Sequence, residues 1–159
     1  VRFAHITTRG RDTASVTVHI PHARKNMVLV PRPSWTRKIQ ILGQLGVVAI
    51  VEKDDSMYAF IRKTADQLGF NNMKVIKSDV FRFINTCQDS FDLVFAGPPY
   101  ALANIDDLPK LVFEKKLLNP GGWFILEHTP RNDYKKTPHY RTERNYGTTI
   151  FSVFIQEKK

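Results

Sequence analysis

Phe91-Asp92-Leu93-Val94-Phe95-Ala96-Gly97-Pro98-Pro99-Tyr100 is the stretch that decides how this chain folds. The run from Phe91 to Ala96 is almost wholly apolar and stops at two prolines, the pattern of a buried strand emptying into a rigid loop. Pro98 and Pro99 fix two successive φ angles and remove two backbone donors, so the loop cannot continue the sheet. An aromatic ring follows at Tyr100. Such a loop suits the stacking of a planar group at the carboxyl end of a strand, where open α/β sheets usually bind ligands. Pro-Pro-aromatic strings also occur in exposed polyproline segments. Here the Phe-Asp-Leu-Val-Phe lead-in favours the strand-and-loop reading.

Outward from that stretch, strand and helix patterns alternate. Val47-Val48-Ala49-Ile50-Val51 is a continuous β-branched apolar run, as expected of a strand buried on both faces, and Glu52 ends it. Asp54 or Asp55 can cap a following helix with Met57, Phe60, Ile61, Thr64 and Leu68 in one apolar stripe, closed by Gly69. Asn72 to Ile76 reads as a strand, and Ser78-Asp79 as the turn into a short helix carrying Val80, Phe81, Phe83 and Ile84. A helix is expected from Ile105 to Leu118, stopped by Asn119-Pro120-Gly121-Gly122, with a strand from Trp123 to Glu127 after it. His139 to Ile155, broken at Gly147, reads as a closing hairpin. Strand–helix alternation ended by a hairpin predicts an α/β fold: a mostly parallel sheet with helices on both faces and antiparallel C-terminal strands.

The chain has 159 residues, 42% of them hydrophobic, enough for one domain with a real core. No run is long or apolar enough to span a bilayer and no charged-then-apolar leader opens it, so a soluble protein is expected. Cys87 is the only cysteine, which rules out an internal disulfide and makes a reducing, cytoplasmic location the expectation. The histidines lack metal-ligand spacing, so no metal is expected. Net charge is +9, which favours a polyanionic partner such as RNA or DNA. Arg2, Arg9, Arg11, Arg24, Lys25, Arg32, Arg37 and Lys38 against Asp12 alone place +7 of that charge before residue 47.

The loop at Gly97-Pro98-Pro99-Tyr100 resembles the Asn/Asp-Pro-Pro-Tyr/Phe motif of amino-group methyltransferases, which use S-adenosylmethionine (SAM), with Gly97 in place of the amide or carboxylate. Val51-Glu52-Lys53-Asp54, Lys77-Ser78-Asp79-Val80, Leu118-Asn119-Pro120-Gly121-Gly122, Glu127-His128 and Arg144-Asn145-Tyr146-Gly147 stand around it in order. Together, over about residues 47–155, they resemble the RsmD family, the bacterial 16S ribosomal RNA guanine-N2 methyltransferases. The resemblance implies a Rossmann-like SAM-dependent methyltransferase fold. It also implies methyl transfer from SAM to the exocyclic N2 amine of a guanine in 16S rRNA, by a monomer that binds ribosomal RNA or the small ribosomal subunit. In the family pattern Glu52 takes the two ribose hydroxyls of SAM, because one carboxylate can accept both. Lys53 stands beside it, Asp79 accepts from the adenine amine, Val80 offers its backbone amide, and Ala96 lines the cofactor. Gly97, Pro98, Pro99 and Tyr100 form the catalytic loop, with Tyr100 stacking on the base. Each residue also has a plainer reading: Glu52 and Asp79 as helix-start carboxylates, and His128 as a satisfied core histidine.

Residues 1–46 depart from the resemblance. The family has a glycine-rich loop there that lets the backbone approach the methionine part of SAM, whereas just ahead of the Val47 strand this chain offers Gly43 and Gly46, with no acidic residue nearby. Residues 1–46 are therefore expected to be a basic segment foreign to the family fold, as from a frameshifted or divergent gene start, and residues 47–159 the methyltransferase domain. Short strands are expected at Val16 to Ile20 and Met27 to Val30. Gly97 and the missing glycine loop imply a slow enzyme or an inactive one. The alternatives are a DNA amino-methyltransferase and a non-catalytic RNA-binding relic of the same fold.

Overall fold

In the computed structural model, residues 2–6, 16–18, 27–29, 47–98 and 100–158 are described. The strands are β1 (Arg2–Ile6), β2 (Val16–Val18), β3 (Met27–Leu29), β4 (Val47–Glu52), β5 (Met73–Lys77), β6 (Phe91–Ala96), β7 (Leu118–His128), β8 (Tyr140–Tyr146) and β9 (Thr149–Ile155). The helices are α1 (Asp55–Gln67), α2 (Val80–Thr86) and α3 (Asp107–Glu114). Seven strands form one sheet in the order β5-β4-β1-β6-β7-β9-β8, while β2 and β3 make a separate antiparallel pair. The pairs from β5 to β7 are parallel, and β9 and β8 close the sheet antiparallel. This is the fold of the Rossmann-like methyltransferases. The chain winds outward from β1 through β4 to β5, then returns to β6 and β7 on the other side. The order therefore reverses between β1 and β6, where open α/β sheets form their ligand crevice.

Strand alternation sends successive side chains to opposite layers. On one face Val48, Ile50, Leu93, Phe95, Ile125, Phe151 and Val153 pack with Ile61 and Ala65 of α1. On the other, Ala49, Val51, Val94, Ala96, Phe124, Leu126 and Phe154 pack with Phe83 and Ile84 of α2 and Leu108 and Val112 of α3. Coverage on both sides explains why β4 and β6 are apolar almost throughout. Asp54 caps α1 by accepting from the Met57 N–H, and Gly69 beyond its end takes φ +71, as its sequence position predicts.

The structure corrects several expectations. Arg2–Ile6 lies at the centre of the sheet, Ile6 paired with both Val51 and Ala96, so this part of the first segment is not foreign to the fold. Val16–Val18 and Met27–Leu29 are strands as expected, and Gly43 and Gly46 lie outside the described residues. Phe60 is exposed, not part of the buried stripe of α1. The helix expected to run to Leu118 ends at Glu114, because Lys116 turns to φ +55 and Leu118 pairs with Phe91 as the first residue of β7. Asn119-Pro120-Gly121-Gly122 lies inside β7 as a bulge, the register jumping from Phe91–Leu118 to Leu93–Trp123. Both glycines are required there. Gly121 has φ +77, and a Cβ on Gly122 would sit 2.8 Å from the Asn119 carbonyl oxygen.

Candidate active site at the carboxyl edge of the sheet

Because Ile6, Val51, Ala96 and Leu126 are level in register, the residues just beyond them share one rim. Alternation places Glu52 of β4, Gly97 after β6 and Glu127 of β7 on the α1 side of that rim. Glu52 and Glu127 are three strand spacings apart, about 14 Å, with β1 and β6 between them.

Glu52 is 9% exposed. Its Oε1 accepts from the Asp54 N–H at 2.9 Å, and Asp54 in turn caps α1. The carboxylate is thus held at the strand end by the loop that starts the helix. Asp79 caps α2, its Oδ1 accepting from the N–H groups of Phe81 (2.9 Å) and Arg82 (3.4 Å). Its Oδ2 pairs with Lys53 Nζ at 3.4 Å, linking the carboxyl ends of β4 and β5. Lys77 pairs with Asp55 alongside. Val80 is the first residue of α2, so its backbone amide lies at the helix N-terminus. The structure brings Glu52, Lys53, Asp79, Val80 and Ala96 to one rim.

Ala96 is wholly buried, and Gly97 and Pro98 are buried beside it. Pro99 lies outside the described residues. Tyr100 is 40% exposed, and its hydroxyl donates to Glu127 Oε1 at 2.8 Å. The Thr149 hydroxyl oxygen lies 3.2 Å from that of Tyr100. The loop's ring is therefore anchored across the ends of β7 and β9. Tyr146, 44% exposed, stands opposite Thr149 in the hairpin and meets Phe151 edge-on at 6.0 Å. Glu127, Tyr146 and Thr149 receive no role from the sequence. A carboxylate ending a buried strand is the available signal for Glu127, and only its contact with Tyr100 makes it a site residue.

His128, the next residue along β7, faces the opposite layer and is 1% exposed. Its Nδ1 is 2.8 Å from the Thr129 carbonyl, which can only accept, so Nδ1 carries the proton. Nε2 then accepts from the Ser152 hydroxyl at 2.8 Å. Burial holds its pKa below the usual histidine value. His128 is a satisfied core histidine, not a site residue. Residues 131–136 are pinned by Tyr134, which is buried edge-on to His128 and donates to Asp106 Oδ1 at 2.7 Å. Burial and that bond push the Tyr134 phenol pKa up. Among the described residues no helix is long and apolar enough to cross a membrane.

The chain and its fold are similar to those of known proteins. The chain matches the family described as conserved hypothetical protein 95 over residues 44–155, more than half its length. Its fold is similar to that of the candidate methylase HI0767 from Haemophilus influenzae, with TM-score 0.67 and 19% identity over 76% of this chain and 80% of that one. It is similar also to TrmN from Thermus thermophilus, with TM-score 0.60 and 18% identity over 99% of this chain and 44% of that one. In sequence it is 24% identical over 115 residues to the probable cobalt-precorrin-6B C(15)-methyltransferase (decarboxylating) of Sulfolobus acidocaldarius, covering 72% of this chain. The chain spans 57% of that relative's length. The motifs around Glu52 and Tyr100, the sheet order and the match over residues 44–155 together place the chain in the conserved hypothetical protein 95 family, the RsmD-like methyltransferase family its sequence resembles.

Proposed function

We propose that this protein methylates the exocyclic N2 amine of a guanine in 16S ribosomal RNA, using SAM. The observation that carries the reading is the rim itself. A buried carboxylate at the end of β4 and a Pro-Pro-Tyr loop at the end of β6 flank the point where the strand order reverses. The residues present fit the cofactor at its nucleoside end: Glu52 offers acceptors for both ribose hydroxyls, and Asp79 and the Val80 amide stand at the next strand end. When bound, SAM supplies a methyl group on a cationic sulfur. Tyr100 supplies a partly exposed ring for stacking, and backbone carbonyls around Gly97 and Pro98 orient the amine. With SAM bound, the chain's part would be to hold the N2 amine against that methyl group and leave the amine proton it gives up a path to solvent. The work left to the chain is mostly positioning. The base must leave its stack to reach such a rim, and a net charge of +9 suits the surrounding phosphates.

The reading is tested by titrating the protein with SAM in a calorimeter. Alongside, purified small ribosomal subunits and naked 16S RNA are incubated with methyl-labelled SAM and digested to nucleosides. The expected result is a SAM-binding isotherm and label in N2-methylguanosine. Label in another nucleoside would overturn the guanine assignment, and absence of SAM binding would overturn the enzyme reading.

A further inference from the structure

The β8–β9 hairpin carries an exposed ring that the holding of SAM does not require. Its two-residue turn is Gly147-Thr148, and Gly147 takes φ +75, the left-handed geometry that such hairpins demand. Asn145 Oδ1 accepts from the Gly147 N–H at 2.9 Å, which braces the tip. Tyr146 ends β8 level with Thr149, whose hydroxyl oxygen lies 3.2 Å from that of Tyr100. The tip therefore stands at the carboxyl edge of the sheet, beside the Pro-Pro-Tyr loop. Phe151 meets the Tyr146 ring edge-on at 6.0 Å, which steadies the ring and still leaves it exposed. Arg144, two residues earlier, is level with Phe151 and shares the face of Tyr146. It is exposed, and its Nη1 donates to the uncharged Glu143 carbonyl at 3.5 Å. The Glu143 side chain lies on the other face, level with Ser152, where it pairs with Lys135 at 3.2 Å. The charge of Arg144 is thus not spent on its acidic neighbour. A braced aromatic ring with a guanidinium beside it matches a nucleobase and the phosphate attached to it.

We infer that the hairpin tip is a second base-stacking subsite for single-stranded RNA, in which Tyr146 stacks on a nucleotide next to the target and Arg144 holds its phosphate. The assignment rests on the methyl-transfer reading above, which leaves the flanking nucleotides without a place. A base drawn out of its stack exposes the faces of its neighbours. A protein ring laid on one of those faces replaces the partner that has left. Stacking of this kind is blind to sequence, because every base has a π-face. The subsite therefore adds affinity and fixes register, and the choice of target base lies elsewhere.

The test is a fluorescence-anisotropy titration of the full chain with labelled uridine heptamers that carry a central guanine. One heptamer is complete; in two others the nucleotide on the 5′ or the 3′ side of the guanine is abasic. Tyr146→Leu keeps an apolar cover over Phe151 but has no flat face. It should bind the complete RNA about 5- to 150-fold more weakly than the parent. Tyr146→Phe should bind as the parent does, and SAM affinity should be the same in all three proteins. On one of the abasic RNAs the parent and Tyr146→Leu should bind alike, because the base under the ring is gone. Arg144→Gln should lower the slope of log Kd against log salt by about 0.7, the worth of one phosphate contact on a single strand; an unchanged slope overturns that contact. Equal binding of the complete RNA by the parent and Tyr146→Leu overturns the inference, as does a parent that binds none of the RNAs. A loss of the same size on all three RNAs overturns it too, since Tyr146 would then act through the fold. A preference for the complete RNA that depends on Tyr146, in a parent that binds no SAM, upholds the subsite while overturning the methyl-transfer reading.

Discussion

Replacing Glu52 by glutamine and by alanine should separate cofactor binding from helix capping. Glu52 is buried at the end of β4, where its Oε1 holds the Asp54 N–H at 2.9 Å and so steadies the residue that caps α1. Glutamine keeps a carbonyl oxygen for that N–H. It loses the charge and turns one of the two ribose-facing acceptors into a donor. Losing a hydrogen bond to a charged acceptor costs about 1.5–3 kcal/mol, so the Kd for SAM should rise about 10- to 150-fold with little change in melting temperature. Alanine loses both functions. The Asp54 N–H would lose its side-chain acceptor in a part-buried loop, at a cost of about 1–3 kcal/mol. At about 2–4 °C per kcal/mol for a domain of this size, the Tm should fall by about 2–12 °C. Calorimetric titration with SAM and thermal melts of the three proteins decide the matter. A glutamine variant that binds SAM as tightly as the parent would remove Glu52 from the ribose site and leave it a helix-start carboxylate.

Three further outcomes are expected. Tyr100→Ala should leave SAM affinity nearly intact while lowering methyl transfer, since stacking a base on an aromatic ring is worth about 1–3 kcal/mol; equal losses of affinity and turnover would make Tyr100 a cofactor or packing residue. Gly97→Asp restores the missing acceptor at a position whose extended backbone, set by the following proline, an aspartate can adopt. It should raise methylation of small-subunit RNA about ten- to a hundredfold, and no gain in a variant that still binds SAM and RNA would show that this carboxylate is not limiting. His128 should make the fold acid-sensitive. Its burial outweighs the Thr129 carbonyl and the carboxylates of Glu143, Asp106 and Asp133, which pull the other way. The folded pKa lies below that of the unfolded chain, so this stability is complete above about pH 6.5 and falls as the pH drops below it, by at most about 1.4 kcal/mol per pH unit. Urea unfolding midpoints at pH 7.5, 6.5 and 5.5 measure this, and a flat profile would contradict it.

Elements whose signal is local are legible in the sequence alone. Asp54, Asp79 and Gly69 mark their helix ends because capping needs only a side chain and the next few backbone groups. The strands Val47–Glu52 and Phe91–Ala96 are legible because burial on both faces demands an unbroken apolar run. Leu118 is ambiguous in sequence, because an apolar residue after a helical stripe fits a last turn as well as a first strand residue. Its pairing with Phe91, distant along the chain, decides for the strand. The burial of Tyr134 is illegible in sequence for a like reason. Its neighbours are charged, and only the pocket made by His128, Asp106 and Phe154 buries it.

By itself, the sequence determined the alternation of strands and helices, the family, and the rim residues Glu52, Lys53, Asp79, Ala96 and Tyr100, because each follows from a run, a cap or a motif contained in a few adjacent positions. Tertiary structure alone placed Arg2–Ile6 between β4 and β6, since a five-residue strand carries no mark of its partners until they pair with it. It alone joined Tyr100 to Glu127 and Thr149, which lie 27 and 49 residues away along the chain. Contacts at that separation depend on strand order and register, properties of the whole sheet that no local stretch of residues encodes.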